Sequence, residues 1–358
     1  LRTVKSFSNI ITTVMSFAFY LIICVFILGY ACIALEHPLK VNKAATALFL
    51  CFILWTIFAF AGTGAMTPDF AANVGPDGIR TFITEHILHH LGETSETVFF
   101  LLGAMTIVEL IDTQGGFKII TDKIATTKKV KLLWVICILA FFMSAILDSM
   151  TTSIVMIALL RKLIGDKKDR WFFAGMVILA ANSGGAWSPM GDVTTIMLWV
   201  SGKVSAWNII KMTFIASFVS MVVPLIIMSL FLKGNVERPK NKNGNIQLQS
   251  PTLNAPAWES TLFLIMGVGL LLCVPLFKTL THLPPYLGML GALGILWITS
   301  EIIHRKSPAE VQHQFAISSI LSRIDVPSVL FFLGILMAVS ALATAGHLTQ
   351  LSHTLDRI

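Results

Sequence analysis

Apolar runs of about 20 residues, each long enough to cross a hydrocarbon core of about 30 Å, recur along the whole chain. The apolar segments read as 16–35, 44–61, 97–111 (a short one), 132–147, 154–164, 171–181, 193–201, 207–232, 259–280, 286–303 and 327–345, of which 154–164, 171–181 and 193–201 are too short to cross alone. No other feature restricts the fold so severely, because backbone N–H and C=O groups inside lipid must find their partners within the protein. Composition agrees: 55% of residues are hydrophobic and 13% charged, against roughly 25% charged in soluble domains. The first run, 16–35, is too long for a signal-peptide core and counts as a span behind an N-terminal segment, 1–15. An all-α polytopic membrane protein is expected.

The net charge of +7 does not signal nucleic acid, since Lys and Arg collect in short loops between apolar runs. Loops 36–43, 112–131 and 161–170 are basic, as is the Pro- and Asn-rich linker 233–258 with Lys233, Arg238, Lys240 and Lys242. Loop 62–97 carries one Arg80 among Asp69, Asp77, Glu85, Glu93 and Glu96. The positive-inside rule puts the basic loops in the cytoplasm and 62–97 outside. Segment 131–164 then begins and ends on the same side. It is expected to enter, turn at DSMTTS and return as a re-entrant hairpin, whose irregular backbone must be buried in protein or line a cavity.

An internal repeat follows. Shifted by 231 positions, VFFLLGAMTIVELIDTQGGF (98–117) meets VLFFLGILMAVSALATAGHL (329–348) with seven of 20 positions identical, including Gly103/Gly334, Thr113/Thr344 and Gly115/Gly346. Two spans precede each copy. In the topology above the copies run in opposite senses, giving an inverted-repeat secondary transporter. The first repeat spans 16–232, with the hairpin at 131–164 and a broken helix at 171–201. The second begins at 259–358 and would need about a hundred further residues for its own hairpin and broken helix. A chain with a truncated second repeat is therefore expected.

Two polar motifs lie at membrane depth. In the hairpin tip, Asp148 sits among Ser144, Ser149, Thr151 and Thr152. A carboxylate so deep costs several kcal/mol and reads as functional; capping of two half-helices by these residues is compatible with that role. Hydroxyls, carboxylates and freed carbonyls are hard oxygen donors suited to alkali cations. The second motif runs from Asn182, Ser183, Gly184 and Gly185 through Ser188, Pro189 and Gly191 to Asp192, Thr194 and Thr195. Three Gly and a Pro are expected to break the helix in its middle, exposing half-helix ends to a bound ion. Both motifs make Asp148 and Asp192 the expected Na⁺ ligands.

Glu93, Glu96 and Glu109, flanking or inside the short span, are candidates for proton coupling. Glu36, Lys211, Lys278 and Glu301 lie near span ends and read as snorkelling side chains. His86, His89 and His90 belong to an amphipathic outer segment, where a solvated helix is a simpler reading than a metal site and where imidazoles would add pH sensitivity. The five cysteines, Cys24, Cys32, Cys51, Cys137 and Cys273, read as buried small hydrophobes with neither disulfide nor metal spacing. No phosphate-binding loop, HExxH or GxSxG points to an enzyme.

Across YACIALEHPLKVNKAA (30–45), HHLGETSE with LLGAMTIVELID (89–112) and the two deep motifs, the chain resembles the NhaD-type sodium/proton antiporters of the ion-transporter superfamily. The resemblance covers nearly all of 16–358. It implies exchange of Na⁺ or Li⁺ for H⁺ across a bacterial inner membrane, on two inverted repeats with two re-entrant hairpins. It places first-half ion-site positions on Ser144, Asp148, Thr151, Asn182, Asp192, Thr194 and Thr195, and an essential acid on Glu93 or Glu96.

The expected mechanism is competition of cation and proton for buried carboxylates, with no cofactor beyond the transported ion. Expected partners are lipid, Na⁺ or Li⁺ and protons, without nucleic acid; a homodimer is among the assemblies open to it. A sodium-coupled carrier of organic anions, an arsenite exporter and a non-transporting membrane subunit are the alternative readings.

Overall fold

The computed structural model describes residues 2–71, 74, 78–121, 124, 126–236, 256–305, 308, 312 and 315–356, with the side chains of most of them from 17 onward. Most of the linker 233–258, including Arg238, Lys240 and Lys242, lies outside the described residues, as does Asp77. The longer helices are α1 (Arg2–Ala34), α2 (Lys43–Ala61), α3 (Ile79–Thr113), α4 (Gly116–Thr121), α5 (Lys129–Leu147), α6 (Ser149–Leu163) and α7 (Lys167–Gly185). After them come α8 (Val193–Val200), α9 (Ala206–Phe231), α10 (Ala257–Thr281), α11 (Pro285–His304), α12 (Ile317–Leu321), α13 (Val326–Thr344) and α14 (His347–Leu355). The described residues hold no strand beyond one isolated bridge, Lys128 with Asn235.

Eight of the described helices are long and apolar enough to cross a membrane. Their outer faces carry large apolar side chains: Phe60, Met212, Leu230 and Phe231 are each more than 70% exposed. Such surfaces suit lipid, not water. Three cysteines expected inside, Cys24, Cys32 and Cys273, are on this exposed surface instead, and all five are free thiols. In lipid an outward Cys loses nothing, because the solvent is as apolar as the core.

The short third span, 97–111, needs correction. α3 begins at Ile79 and has 35 residues, about 52 Å at 1.5 Å per residue. Residues 79–97 are polar but contain no Pro, and Gly92 has open space around it, so nothing interrupts the helix.

The helices fall into two compact units, 1–98 with 325–358, and 99–324. In the first, α13 lies directly on α2. A Cβ at Gly334 would come within 2.7 Å of the Ala47 backbone, and the Trp55 indole donates to the Met337 carbonyl at 2.8 Å. Leu50, Leu54, Phe58, Ala338 and Ala341 fill the seam. In the second, Gly103 of α3 is packed on Met289 of α11, and Gly267 of α10 on Ile111 of α3. Each unit thus combines spans from the early and the late part of the chain.

Local geometry recurs at the 231-residue offset. α3 ends at Thr113, Gly115 turns with φ +73°, and α4 follows; α13 ends at Thr344, Gly346 turns with φ +85°, and α14 follows. Left-handed φ at both turns is where glycine carries the smallest steric cost.

Candidate functional site

Asp148 is the single residue between α5 and α6. It caps the end of one and the start of the other, at φ 93° and ψ 156°. A non-glycine residue there is an outlier, of the kind that concentrates at functional sites. Local bonds hold it: one carboxylate oxygen accepts from the Thr151 amide at 2.9 Å and the other from the Thr151 hydroxyl at 2.7 Å. Thr152 is fully buried, and its hydroxyl oxygen has no hydrogen-bond partner. An orphaned buried hydroxyl four residues on from that carboxylate is unusual in a folded protein and suits a guest that supplies the missing contact.

The tip docks on the break between α7 and α8. The Ser149 amide donates to the Gly191 carbonyl at 3.2 Å. Ser144 donates its hydroxyl to the Ala181 carbonyl at 2.6 Å, and Ser188 donates to the Ala145 carbonyl. Three glycines make the approach possible. A Cβ at Gly184 would lie 2.1 Å from the Phe141 carbonyl oxygen, one at Gly185 2.3 Å from that of Gly191, and one at Gly191 2.6 Å from that of Ser144. The reason for these glycines therefore differs from the expected one. α7 runs helically through Asn182, Gly184 and Gly185 and stops only at Ala186, and none of the three glycines has positive φ. They are there for contact, not for breaking the helix.

Asp192 restarts the chain as N-cap of α8, accepting from the Thr194 amide at 3.4 Å, while Thr195 donates its hydroxyl to the Asp192 carbonyl at 2.9 Å. Asp192 follows directly on Gly191, whose carbonyl holds the Ser149 amide next to Asp148. The Thr194 hydroxyl leans on Asp192 at 3.5 Å. Two predicted site residues point elsewhere. Asn182 is exposed and donates back to the Ile178 carbonyl of its own helix at 2.8 Å. Ser183 accepts from Ser220 of α9 at 2.8 Å. Lys278, read above as a snorkelling side chain, instead donates to the Trp199 carbonyl at the end of α8 and lies 4.8 Å from the Trp199 ring.

The acidic candidates are distributed. Glu93 and Glu96 belong to the first unit. Glu93 faces His89 at 3.4 Å and His90 at 3.3 Å, and His90 reaches the Thr344 hydroxyl with its other nitrogen at 3.0 Å. Glu109, in the second unit with Asp148, faces Arg323 at 3.8 Å, and Arg323 donates to the Thr113 hydroxyl at 3.2 Å. Sequence reasoning missed Arg323, which looks like an ordinary loop cation. Thr113 and Thr344, equivalent at the 231 offset, each take a hydrogen bond from a basic side chain beside a glutamate, but those side chains are not equivalent, so the repeat does not mark Arg323. Among the described residues no group of three or more His, Cys, Asp or Glu could hold a metal ion. The donors near the joint are the Asp148 carboxylate, hydroxyls and carbonyls, with Asp192 one residue beyond Gly191, and such oxygens are a hard set suited to a small alkali cation.

Among the described residues, eight helices long and apolar enough to cross a membrane, together with a carboxylate-bearing helix joint, define a polytopic membrane transporter. A sequence profile described as citrate transporter matches residues 30–358. The chain belongs to that family, and the relatives it matches include proteins named as sodium/proton antiporters. It is 42% identical over 333 residues to "Sodium/proton antiporter 1" of Arabidopsis thaliana, covering 92% of this chain and 53% of that protein. It is 40% identical over 334 residues to "Sodium/proton antiporter 2" of the same plant, covering 92% and 73%. "Na(+)/H(+) antiporter NhaD" of Alkalimonas amylolytica is 27% identical over 361 residues, covering 94% and 70%. The chain thus spans about half the length of the first relative and about 70% of the others.

Proposed function

We propose that the protein exchanges Na⁺ or Li⁺ for H⁺ by letting cation and proton compete for Asp148 and Asp192. The observation that carries this reading is the joint at Asp148: a carboxylate held at positive φ by Thr151, and four residues on a buried Thr152 hydroxyl without a partner. When both carboxylates are ionised, they and the nearby oxygens replace part of the hydration shell of the cation. Protonation removes the charge and releases it. The α6 and α8 N-termini would limit the affinity, since their positive dipole ends oppose a cation, so binding stays weak enough for turnover.

Alternating access in this reading is rocking of inverted repeats, 16–232 and 259–358, around the site, with 131–164 as a re-entrant hairpin. α5 alone is long enough to cross the membrane, so accessibility labelling on both sides of 164–166 tests the hairpin: access from the side of 126–128 supports it, and access from the opposite side overturns it. The membrane in this reading is one that sustains an ion gradient, as a bacterial inner membrane does.

The second reading, sodium-coupled transport of an organic anion, is favoured by the description of the family profile. Proton flux measured in vesicles with a Na⁺ salt of an inert anion as the only gradient separates the two. Antiport gives flux without a carboxylic acid; a symporter gives flux only when its anion is added. Loss of Na⁺-dependent flux in both Asp148→Asn and Asp192→Asn is expected, and normal flux in both would sink the assignment.

A further inference from the structure

A second buried ionisable couple lies in the 99–324 unit, at the start of α10 and the end of α11. His304 is buried. Its Nδ1 lies 2.8 Å from the Ser300 carbonyl, an atom that can only accept, so Nδ1 carries a proton. Nε2 has no hydrogen-bond partner and lies 3.7 Å from a carboxylate oxygen of Glu259, itself mostly buried. In a neutral ring with the proton on Nδ1, Nε2 presents a lone pair. It would then face an ionised carboxylate inside the protein, with an acceptor opposite an acceptor and a buried charge without a counter-charge.

We propose that Glu259 and His304 form a buried proton-binding site, in which Nε2 holds a proton and the resulting imidazolium is faced by the Glu259 carboxylate. No other charge competes for that place in the described surroundings. Glu301 on the same helix is exposed and takes the Trp297 indole N–H at 2.6 Å, and Arg305 is exposed. Phe315 stacks on the imidazole with centroids 4.0 Å apart, and Ser300 and Gln114 are uncharged. A cavity of about 650 Å³ is bordered by Glu301, His304, Arg305 and Gln312.

The couple is wired to the turn between α3 and α4. Ser260, next to Glu259, donates to the Gln114 carbonyl at 2.6 Å. The Gln114 side chain is fully buried and donates towards the Ser300 hydroxyl at 3.5 Å, while its own oxygen has no partner. Loss of the proton would turn an attraction between the α10 and α11 ends into a repulsion, at the residues that hold Gln114 and the glycine turn after it. This site is separate from Asp148 and Asp192 and does not depend on which ion the protein carries.

The test is ¹⁵N NMR of histidine-labelled protein in lipid nanodiscs at pH 7, with the His304 signals assigned by their loss in His304→Gln. Should that variant not fold, through-space contact with the Phe315 ring assigns them. Both ring nitrogens of His304 are expected at protonated positions, and in Glu259→Gln only Nδ1 is expected to stay so. An unprotonated Nε2 in the unaltered protein overturns the proposal, and so does a Nε2 proton that persists in Glu259→Gln. Replacing Na⁺ by choline should leave the signals unmoved. A Nε2 that loses its proton only when Na⁺ is present would identify a cation site in its place and overturn the proton assignment.

Discussion

Gly185 and Gly191 face each other across the break between α7 and α8, so closely that a Cβ on Gly191 would lie 2.7 Å from the Gly185 Cα. Backbone has nowhere to retreat here, because Gly184 touches the Phe141 carbonyl on the same side. Gly184→Ala and Gly185→Ala should each destabilise by about 1–3 kcal/mol or more, as overpacking does. Gly175, in the same helix with open space around it, is the matched control. Gly175→Ala should gain up to about 1 kcal/mol from helix propensity. Unfolding monitored by circular dichroism in mild detergent compares the three.

Asp148 combines a strained backbone with a cap, and substitutions can separate the two. Asn tolerates positive φ and still caps, so Asp148→Asn should fold with unfolding free energy within about 1 kcal/mol of the parent. Asp148→Ala keeps the strain and loses both bonds to Thr151, and should lose about 2 kcal/mol. If proton flux disappears in Asp148→Asn while its stability holds, charge and not geometry is what the site needs. Equal stability of the two variants would show that the cap contributes nothing.

The legible part of this molecule was whatever lipid makes expensive. Asp148 and Asp192 stood out because a carboxylate inside an apolar run demands a reason. The break after Asn182 stood out because Gly, Ser and Pro cluster there. Contact was harder to read: nothing in a string says that Gly184 is needed by a carbonyl 43 residues earlier. Hydropathy separates the polar first half of α3, with its solvated helix at His86–His90, from the apolar run 97–111, whereas a helix that leaves the apolar layer keeps its hydrogen bonds without keeping its composition. Arg323 was invisible until the fold set it beside Glu109, since the repeat aligns Glu109 with Ser340 and Arg323 with Gly92.

Asp166, outside the spans, caps α7 by accepting from the Asp169 amide at 2.9 Å. That bond, helped by nearby Lys168 and Lys129, holds its carboxyl below the usual range. A depressed folded value means that the cap stabilises above the unfolded pKa and is lost as pH falls through the folded one. Hydrogen exchange of amides 167–170 should therefore accelerate, relative to intrinsic rates, only below about pH 4. In Asp166→Asn the acceleration should vanish, because the amide cap does not titrate. Persistence of the same pH step in that variant would assign it to another group.

Arg323 and Glu109 are each about a quarter to a third exposed, at 32% and 26%. Screening limits such a pair to about 1 kcal/mol. Arg323→Gln should cost that much, and Glu109→Gln in the same background should restore most of it by removing the stranded charge. A double-mutant cycle on thermal unfolding gives the coupling, and additive losses would show that the two side chains do not interact.

Thr152→Val decides whether the cluster at Asp148 is a binding site or only a capped turn. Valine has nearly the shape of threonine, so packing is preserved. A buried hydroxyl with no partner is destabilising, and its replacement by a methyl should raise stability by about 1 kcal/mol if it has no other duty. If the hydroxyl is instead a ligand to Na⁺, the same substitution should weaken the apparent Na⁺ affinity about tenfold, equivalent to about 1.4 kcal/mol. The site reading expects both effects together, a more stable protein that needs more Na⁺ for the same proton flux. Greater stability with unchanged Na⁺ dependence would leave Thr152 outside the site and remove the feature that most distinguishes this joint from an ordinary helix cap.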